Sequence, residues 1–274
     1  MQVDCNRINK NMFNNISKYS WFSFVPMISL GILTIVLLIM GVIPTWYLIP
    51  SFISWCLIAG LGVAVGYHRV FAHHTHPDLP KWKENILLFF GVMSGQGSSL
   101  TWTALHRGYH HKYSDTVKDP HSPIHGKFYA FFTWSTKITQ DNLGFNMKYA
   151  GNLLRKPNHL WFHNYQMRIL WGVPLLLALI DWKLSLMLVC LPSALSLFQE
   201  NLINVLGHVK GYIGYRNFET TDNSQNNIIL GYIGWGQGWH NNHHYDPKSF
   251  DFGSAISKKW WEFDPCRVFL PFLK

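Results

Sequence analysis

Charge is scarce in this chain, above all near its start. Only 14% of the 274 residues are Asp, Glu, Lys or Arg, and none occurs in the 50 residues from Tyr19 to His68. Because about 20 apolar residues cross a bilayer, this run is long enough for two spans, with a turn in the Gly-Val-Ile-Pro-Thr stretch at 41–45. A buried helix of a large soluble protein is the alternative interpretation, which a run of this length disfavours.

The motifs of several common metal sites are also missing. The four cysteines lie far apart and form no C-x-x-C pair, so neither a zinc ribbon nor an iron–sulfur cluster is indicated. No E-x-x-H occurs, although the carboxylate di-iron sites of soluble helix bundles use that motif. Any metal centre must draw on other ligands.

A second apolar region lies between Arg168 and Glu200, interrupted only by Asp181 and Lys183. It predicts another helical hairpin with its turn at 181–183. We therefore expect an all-α membrane protein, a single domain over 1–274. The four transmembrane helices form two hairpins at about 21–40, 46–67, 161–180 and 184–208, and a cytoplasmic helical cap covers about 68–160 and 209–274.

Basic residues predict the orientation of these helices. Of the 23 Lys and Arg residues, 22 lie up to Lys18, from Arg69 to Arg168, or from Lys210 onward, and Lys183 alone falls in the second turn. By the positive-inside rule, both termini, including a polar lead-in at 1–18, and the central segment are cytoplasmic. The net charge of +9 then belongs to one side of the membrane, and we expect no nucleic-acid partner.

Histidines supply the chemistry that the missing motifs do not. Nine of the fifteen occur in groups: His68, His73, His106, His110, His111, His208, His240, His243 and His244. On a helix, residues three or four apart share a face, so His106 could converge with His110, and His240 with His243 or His244. Adjacent histidines diverge by roughly 100°, so each member of such a pair could serve a different metal.

Imidazoles without thiolates suit iron, copper or zinc. Zinc uses three or four ligands at one site, and nine histidines exceed that number. An all-histidine centre of two iron ions at a membrane surface, able to activate dioxygen, fits best. His121 follows Asp119-Pro120 and is expected to support a ligand, whereas His159 and His163 are expected at the surface or the interface.

The boxes resemble those of the integral-membrane fatty acid desaturases, and most closely the acyl-CoA (stearoyl-CoA) Δ9 type. HRVFAH from His68, HRGYHH from His106 and GQGWHNNHH ending at His244 look like the family's three histidine boxes. Its Asn-x3-His pattern falls on Asn204 and His208. The second box departs from the acyl-CoA type, because Tyr109 extends H-x2-HH to H-x3-HH, which bears on the substrate.

The resemblance implies a reaction and a ligand set. A cis double bond would be introduced into a long saturated acyl chain, with dioxygen as co-substrate leaving as water. The nine histidines would hold two iron ions, Asn204 would hold one through a water, and no further catalytic residue is needed. The acyl chain would enter a bent tunnel, for which Trp102 is a candidate wall residue; Phe52 and Cys56 are further candidates, although ordinary helix packing accounts better for those two.

The same resemblance implies partners. Lys137, Arg155 and Lys156 are candidate contacts for the phosphates of acyl-CoA, although the positive-inside rule alone explains them. No HPGG haem motif and no ferredoxin cysteines occur, so electrons would come from a separate donor such as cytochrome b5 or ferredoxin with its reductase.

Three alternatives remain open. An acyl-lipid or acyl-carrier-protein desaturase would differ only in the carrier of the acyl chain. A membrane hydroxylase of fatty acids, alkanes or sterols would share the boxes but leave oxygen on the carbon. A histidine-rich metal transporter would need polar residues along its spans, and the uncharged span interiors count against it.

Overall fold

A computed structural model describes residues 16–137, 147–209, 211 and 213–274. Residues 1–15 of the predicted lead-in, nine residues of the predicted cap at 138–146, and Lys210 and Tyr212 lie outside the described residues. Within the described part the chain forms helices and turns and no β-strand. The only β-bridges in that part join Tyr215 to Asn226 and Asn226 to Trp239. The all-helical prediction is thus confirmed.

Nine helices carry the architecture described below. They are α1 (Ile16–Ile39), α2 (Thr45–Ala72), α3 (Lys81–Met93), α4 (Ser99–Leu105), α5 (Trp134–Lys137), α6 (Pro157–Ile180), α7 (Trp182–Leu206), α8 (Ile228–Ile233) and α9 (His240–Tyr245). Wide, π-type turns occupy Cys56–Ala72, His106–His110, Tyr129–Thr133 and Leu186–Cys190. Shorter helical turns lie at His111–Tyr113, Pro123–His125, Met147–Ala150, Gly151–Leu154, Ser254–Ser257, Pro265–Phe269 and Leu270–Leu273.

Three helices of the described chain are long and apolar enough to cross a membrane. They are the segments Tyr19–Ile39, Thr45–Ala72 and Trp182–Leu206. The predicted third span, at 161–180, does form a helix as part of α6, but α6 is not among the three. His163, Asn164, Gln166 and Arg168 in its first half lower its hydropathy.

Helix α2 changes its surroundings halfway along its length. Its first half carries exposed apolar side chains such as Ile49, at 70% exposure, whereas every residue from Ile58 to Ala72 is buried. Gly62 allows this, because a Cβ there would lie 2.4 Å from the backbone carbon of Phe90 in α3. The close packing of α3 on α2 holds His68 inside the protein.

A buried turn at 94–98 connects α3 to α4 and positions the second histidine box. Gly95 and Gly97 have φ angles of +74° and +89°, a region that glycine enters without the steric cost other residues meet. Ser98 then caps α4 by accepting a hydrogen bond from the Thr101 backbone N–H, in a reciprocal capping box. Helix α4 therefore starts at a fixed point, and His106 follows its last residue.

The two hairpin turns meet at the end of the molecule opposite the histidines. Tyr47, at the start of α2, donates a hydrogen bond of 2.7 Å to Oδ2 of Asp181, between α6 and α7. This contact holds the turn of the first hairpin beside the turn of the second.

A buried ion pair fastens the C-terminal segment to the histidine end of α2. Arg69 and Asp264 are both fully buried, and Nη2 of Arg69 lies 2.8 Å from Oδ2 of Asp264. Arg69 also donates to the carbonyls of Ala64 and Phe250, both at 2.7 Å, and its guanidinium lies 3.9 Å from the ring centre of Phe252. The hydrogen bonds of Arg69 are thereby satisfied within the protein.

Replacing Asp264 with Asn should destabilise the fold strongly, because it leaves Arg69 charged and buried without its counterion. Breaking a buried pair in this way costs about 3–5 kcal/mol. Thermal unfolding of the purified protein would measure the loss. Arg267→Gln is the matched control, since its pair with Asp251 is half-exposed and such pairs contribute about 0–1 kcal/mol; equal stability of the two variants would contradict the prediction.

Candidate metal centre

The structure gathers all nine grouped histidines into two adjoining clusters. Cluster A holds His68, His73, His106, His111 and His243, and cluster B holds His110, His208, His240 and His244. Within each cluster the ring nitrogens lie within 4.8 Å of one another. Four segments of chain that are distant in sequence thus present imidazoles to two points.

Wide helical turns explain which histidines share a cluster. The backbone N–H of His73 donates to the carbonyl of His68 at 3.0 Å, and that of His111 donates to His106, five residues back in both cases. In such a π-type turn residues about five apart lie above one another. His68 and His73, and likewise His106 and His111, therefore face the same cluster.

The pairing expected from ordinary helical spacing is wrong in two cases. Spacing of three or four residues favoured His106 with His110 and His240 with His243, yet each pair is divided between clusters A and B. The pairing of His240 with His244 is correct, and adjacent histidines do serve different clusters: the rings of His243 and His244 lie at 89° to each other. The wide turn at 106–110 is the physical reason for the first error.

Ring nitrogens converge closely in both clusters. In cluster A, Nε2 of His243 lies 2.9 Å from Nε2 of both His68 and His111. In cluster B, Nε2 of His208 lies 2.8 Å from that of His240, and the buried Nε2 of His244 has no hydrogen-bond partner in the described chain. Lone pairs that face one another in a buried site suit a shared cation, so an all-nitrogen donor set of this kind could hold two metal ions.

Carboxylates hold the opposite ring nitrogens of cluster B. Nδ1 of His110 lies 3.0 Å from Asp119, Nδ1 of His208 lies 3.3 Å from Asp115, and Nδ1 of His244 lies 2.6 Å from Asp222. Such partners fix the tautomer and turn Nε2 toward a metal. Asp115 ends the K-Y-S-D that follows the second histidine box, but no motif pointed to Asp222, and the contacts of both residues cross 93 and 22 positions of the chain.

His121 has the contact expected of a supporting residue. Its Nδ1 lies 3.4 Å from Oδ1 of Asp119, whose other oxygen contacts His110. His159, by contrast, was expected at the surface or interface and is fully buried, with Nδ1 2.8 Å from the hydroxyl of Ser99. Its place in the helix packing of α4 and α6 could not be predicted from its neighbours in sequence.

Burial and crowding keep most of these imidazoles neutral. Burial, reinforced by the charges of neighbouring histidines, lowers the pKa of His106, His111, His240 and His243 well below the usual value. Burial likewise lowers the pKa of His244 to about 4. Because metals bind the neutral imidazole, these histidines are ready to act as ligands at neutral pH.

The carboxylates beside cluster B remain ionised. Burial alone would raise the pKa of Asp119, but the charges of His121 and His110 and a hydrogen bond with His110 lower it below its usual value. The pKa of Asp222 is also lowered, because the hydrogen bond and charge of His244 outweigh burial. Cluster B is thus bordered by negative charge.

An amide supports cluster A instead. Oε1 of Gln237 lies 2.9 Å from Nδ1 of His68, and the amide nitrogen of Gln237 donates to Glu200 on α7. Since Glu200 takes the N–H of Gln237, the amide oxygen must face His68. His68 then carries its proton on Nδ1 and directs Nε2 into cluster A.

A cavity of about 970 Å³ lies beside both clusters. His106 and His240 reach it, and so do Asn204 and Glu200 on α7. Trp102 lines it as expected, stacked on His106 at 4.7 Å between ring centres and donating to Gln96 at 3.2 Å. A cavity of this size next to the nitrogen clusters could hold a long, narrow ligand.

Other expected contact residues lie elsewhere. Phe52 is 60% exposed on α2 and, like Cys56, is absent from the described lining of the cavity. Lys137 and Arg155 are exposed, and Lys156 pairs with the buried Glu84. That ion pair accounts for Lys156 without a ligand.

Comparisons with known proteins agree with this geometry. The model of the fatty acid desaturase family matches residues 44–268. An Arabidopsis thaliana protein named "probable lipid desaturase, chloroplastic" is 30% identical over 83% of this chain and 63% of its own length. Delta-9 acyl-lipid desaturase 2 of Arabidopsis thaliana is 29% identical over 80% of this chain and 69% of its own length. An acyl-CoA 5-desaturase of Anemone leveillei is 30% identical over 74% and 61%.

Changing one histidine in each cluster should remove the two metals separately. His243→Ala should cost the metal of cluster A and His244→Ala that of cluster B, because the two rings serve different clusters. Metal analysis of the purified variants by mass spectrometry would measure this. His76→Ala is the control, since its ring hydrogen-bonds Thr75 and lies in neither cluster. Loss of all metal in both cluster variants, or of any metal in the control, would contradict the division into two sites.

Glu200 should affect cluster A without touching it. Glu200→Leu removes the acceptor that orients Gln237, so cluster A should bind its metal about 10–100-fold more weakly, the usual effect of losing an outer contact. Glu200→Gln keeps an acceptor and should retain the metal. Competition with a chelator would measure both affinities, and equal retention by Leu and Gln would show that Glu200 does not orient His68.

Proposed function

The chain belongs to the fatty acid desaturase family, and from that premise we propose that it is an oxygen-dependent oxidoreductase that introduces a cis double bond into a long saturated acyl chain. The observation that supports this most is the contact of two all-histidine clusters with one cavity of about 970 Å³. The family's use of a di-iron centre agrees with the nitrogen donor set. The chain spans only 63% of the first relative's length, so the activity of the whole protein is part of this proposal.

The nine histidines, with Asn204 acting through a water, would hold the two irons. Bound there, the iron pair would supply the chemistry by which dioxygen, with two electrons from the separate donor and two protons, removes one hydrogen atom from each of two neighbouring CH₂ groups and leaves as two molecules of water. The protein's own task is to place those groups. Trp102, packed on His106, would set the position of the chain next to cluster A, and buried walls such as Leu197 would exclude water.

The finer assignment concerns the position of the double bond and the carrier. We propose Δ9 and a long-chain acyl-CoA, the type that the histidine boxes resemble most. The relatives' names include Δ9 acyl-lipid, Δ7 and acyl-CoA 5-desaturases, so an acyl-lipid carrier is the second candidate. The cavity favours it, because no Lys or Arg occurs among the described lining residues to meet the phosphates of CoA. An acyl-carrier protein remains a third possible carrier.

The same reaction class defines the partners and the membrane arrangement. Electrons would arrive from a separate donor, such as cytochrome b5 or ferredoxin with its reductase, and hydroxylation is the competing outcome at such a centre. We propose that α6 is a fourth span, since Leu179 and Ile180 near its end are 84% and 78% exposed and apolar. Both termini and both clusters would then face the cytoplasm around a single domain.

Expression in a host without its own desaturase should produce a new monounsaturated fatty acid. Gas chromatography–mass spectrometry of total fatty acids, with derivatisation to locate the double bond, would measure product and position together. A hydroxylated acid instead would overturn the desaturase proposal in favour of the oxygenase alternative.

His106→Ala, His111→Ala and His243→Ala should each abolish this product, because each removes a nitrogen from cluster A. Membrane fractionation should show the variants inserted in the same amount as the unmodified protein. His76→Ala again serves as the control and should retain activity. Activity retained by two of the three cluster variants would remove the metal-centre assignment.

A further inference from the structure

The cavity beside the clusters reaches the surface between α1 and α6. Phe22 on α1 is 64% exposed and Asn164 on α6 is exposed, yet both line the cavity. We propose that this gap is a lateral portal, through which an acyl chain of a membrane phospholipid enters the cavity directly from the bilayer. The inference takes the second candidate carrier, an acyl lipid, in place of acyl-CoA, and it rests on the proposed function for what happens to the chain after it has entered.

The portal lies at the level of the membrane boundary. The apolar segment Tyr19–Ile39 has 21 residues, or about 31 Å at 1.5 Å per residue, which matches a hydrocarbon layer of about 30 Å. Phe22 is then within one helical turn of the edge of that layer. Trp21 next to Phe22 on α1, and Trp161 and Tyr165 near Asn164 on α6, are 57%, 51% and 37% exposed, and aromatic side chains of this kind favour the membrane interface.

A contact on the deeper side limits the opening. Nε1 of Trp171 on α6 donates to the carbonyl of Phe22 at 3.1 Å, so the two helices touch below Asn164. Both helices run from the histidine end toward the hairpin turns. The gap is therefore a mouth near the interface and does not extend along the whole length of α1 and α6.

Unpaired polar atoms line the mouth. Oγ of Ser23 is fully buried and Oε1 of Gln166 is buried, and neither finds a hydrogen-bond partner in the described part of the chain. Leaving such atoms without partners costs about 1–3 kcal/mol each. An ester carbonyl oxygen of a phospholipid at the mouth could accept a hydrogen bond from the hydroxyl of Ser23, whereas Oε1 of Gln166 is itself an acceptor and needs a donor, such as a water molecule, that the ester does not supply.

The charge of the lining also fits an ester better than a phosphate-rich carrier. Glu200 is the only Asp, Glu, Lys or Arg among the described lining residues. The ester region of a phospholipid is neutral and lies at the interface, whereas its phosphate remains outside in the headgroup layer. An acyl chain can thus reach His106 while its headgroup stays in the membrane surface.

Photo-labelling tests the portal without requiring catalysis. The full chain is placed in liposomes that contain phosphatidylcholine with a diazirine in its acyl chain, and labelled peptides are mapped by mass spectrometry. We expect label deep in the cavity, at the peptides of Trp102 and Leu197, in addition to the lipid-facing segment 175–180. Label confined to lipid-facing segments would overturn the proposal. Deep label that appears with a diazirine-bearing stearoyl-CoA but not with the diazirine-bearing phosphatidylcholine would overturn it as well.

A bulky side chain at the mouth provides the matched comparison. Asn164→Trp should reduce deep labelling by about tenfold, equivalent to about 1.4 kcal/mol, while labelling of 175–180 and metal content stay unchanged. Leu175→Trp, on the same helix but 65% exposed and away from the cavity lining, should leave deep labelling intact. Unchanged deep labelling in Asn164→Trp and in a second bulky variant, Asn164→Phe, would contradict the portal.

The outcome separates this inference from the proposed function. Deep labelling that depends on Asn164, together with no unsaturated product in the fatty acid assay, would leave the portal standing and remove the desaturase proposal. An unsaturated product without deep lipid labelling would leave the desaturase proposal standing and remove the portal.

Discussion

The structure depends on holding nine imidazoles convergent inside the protein, with most of them neutral. Ring nitrogens that approach to 2.8–2.9 Å would repel one another if they were all protonated, and burial prevents that by favouring the uncharged form. Each neutral ring must then turn its unprotonated nitrogen toward the cluster, and in cluster B the contacts of Asp115, Asp119 and Asp222 with Nδ1 fix that tautomer. In cluster A the amide of Gln237 does the same for His68, so the two clusters differ in nearby negative charge.

The long helices provide the rigid positions that such convergence requires. Helix α2 carries His68 at its buried end, and α7 brings Glu200 and Asn204 to the cavity wall. The buried pair of Arg69 and Asp264 fastens the C-terminal segment over this end of α2. The apolar helices therefore set the geometry, and the segments at and beyond their ends, including the short helix α9, carry the histidines.

Much of this could be predicted from the sequence, and particular residues show why the rest could not. The uncharged run to His68 and the grouped histidines follow from composition and spacing. The separation of His106 from His110 depends on a wide turn, which single-residue preferences do not encode. Asp222 and Gln237 gain their roles from contacts across 22 and 169 residues. Helix α6 forms as predicted. Polar residues in its first half lower its hydropathy, so it is not among the three described helices that are apolar enough to cross a membrane.

The ion pair of Arg69 with Asp264 also has a consequence for biosynthesis. The two residues are separated by 195 positions, so a ribosome must add 195 residues after Arg69 before its counterion exists. His243, which contacts both His68 and His111, emerges almost as late. The buried end of α2 is thus made long before the residues that complete its surroundings, and cluster A can hold a metal with its full set of ligands only after His243 has been made.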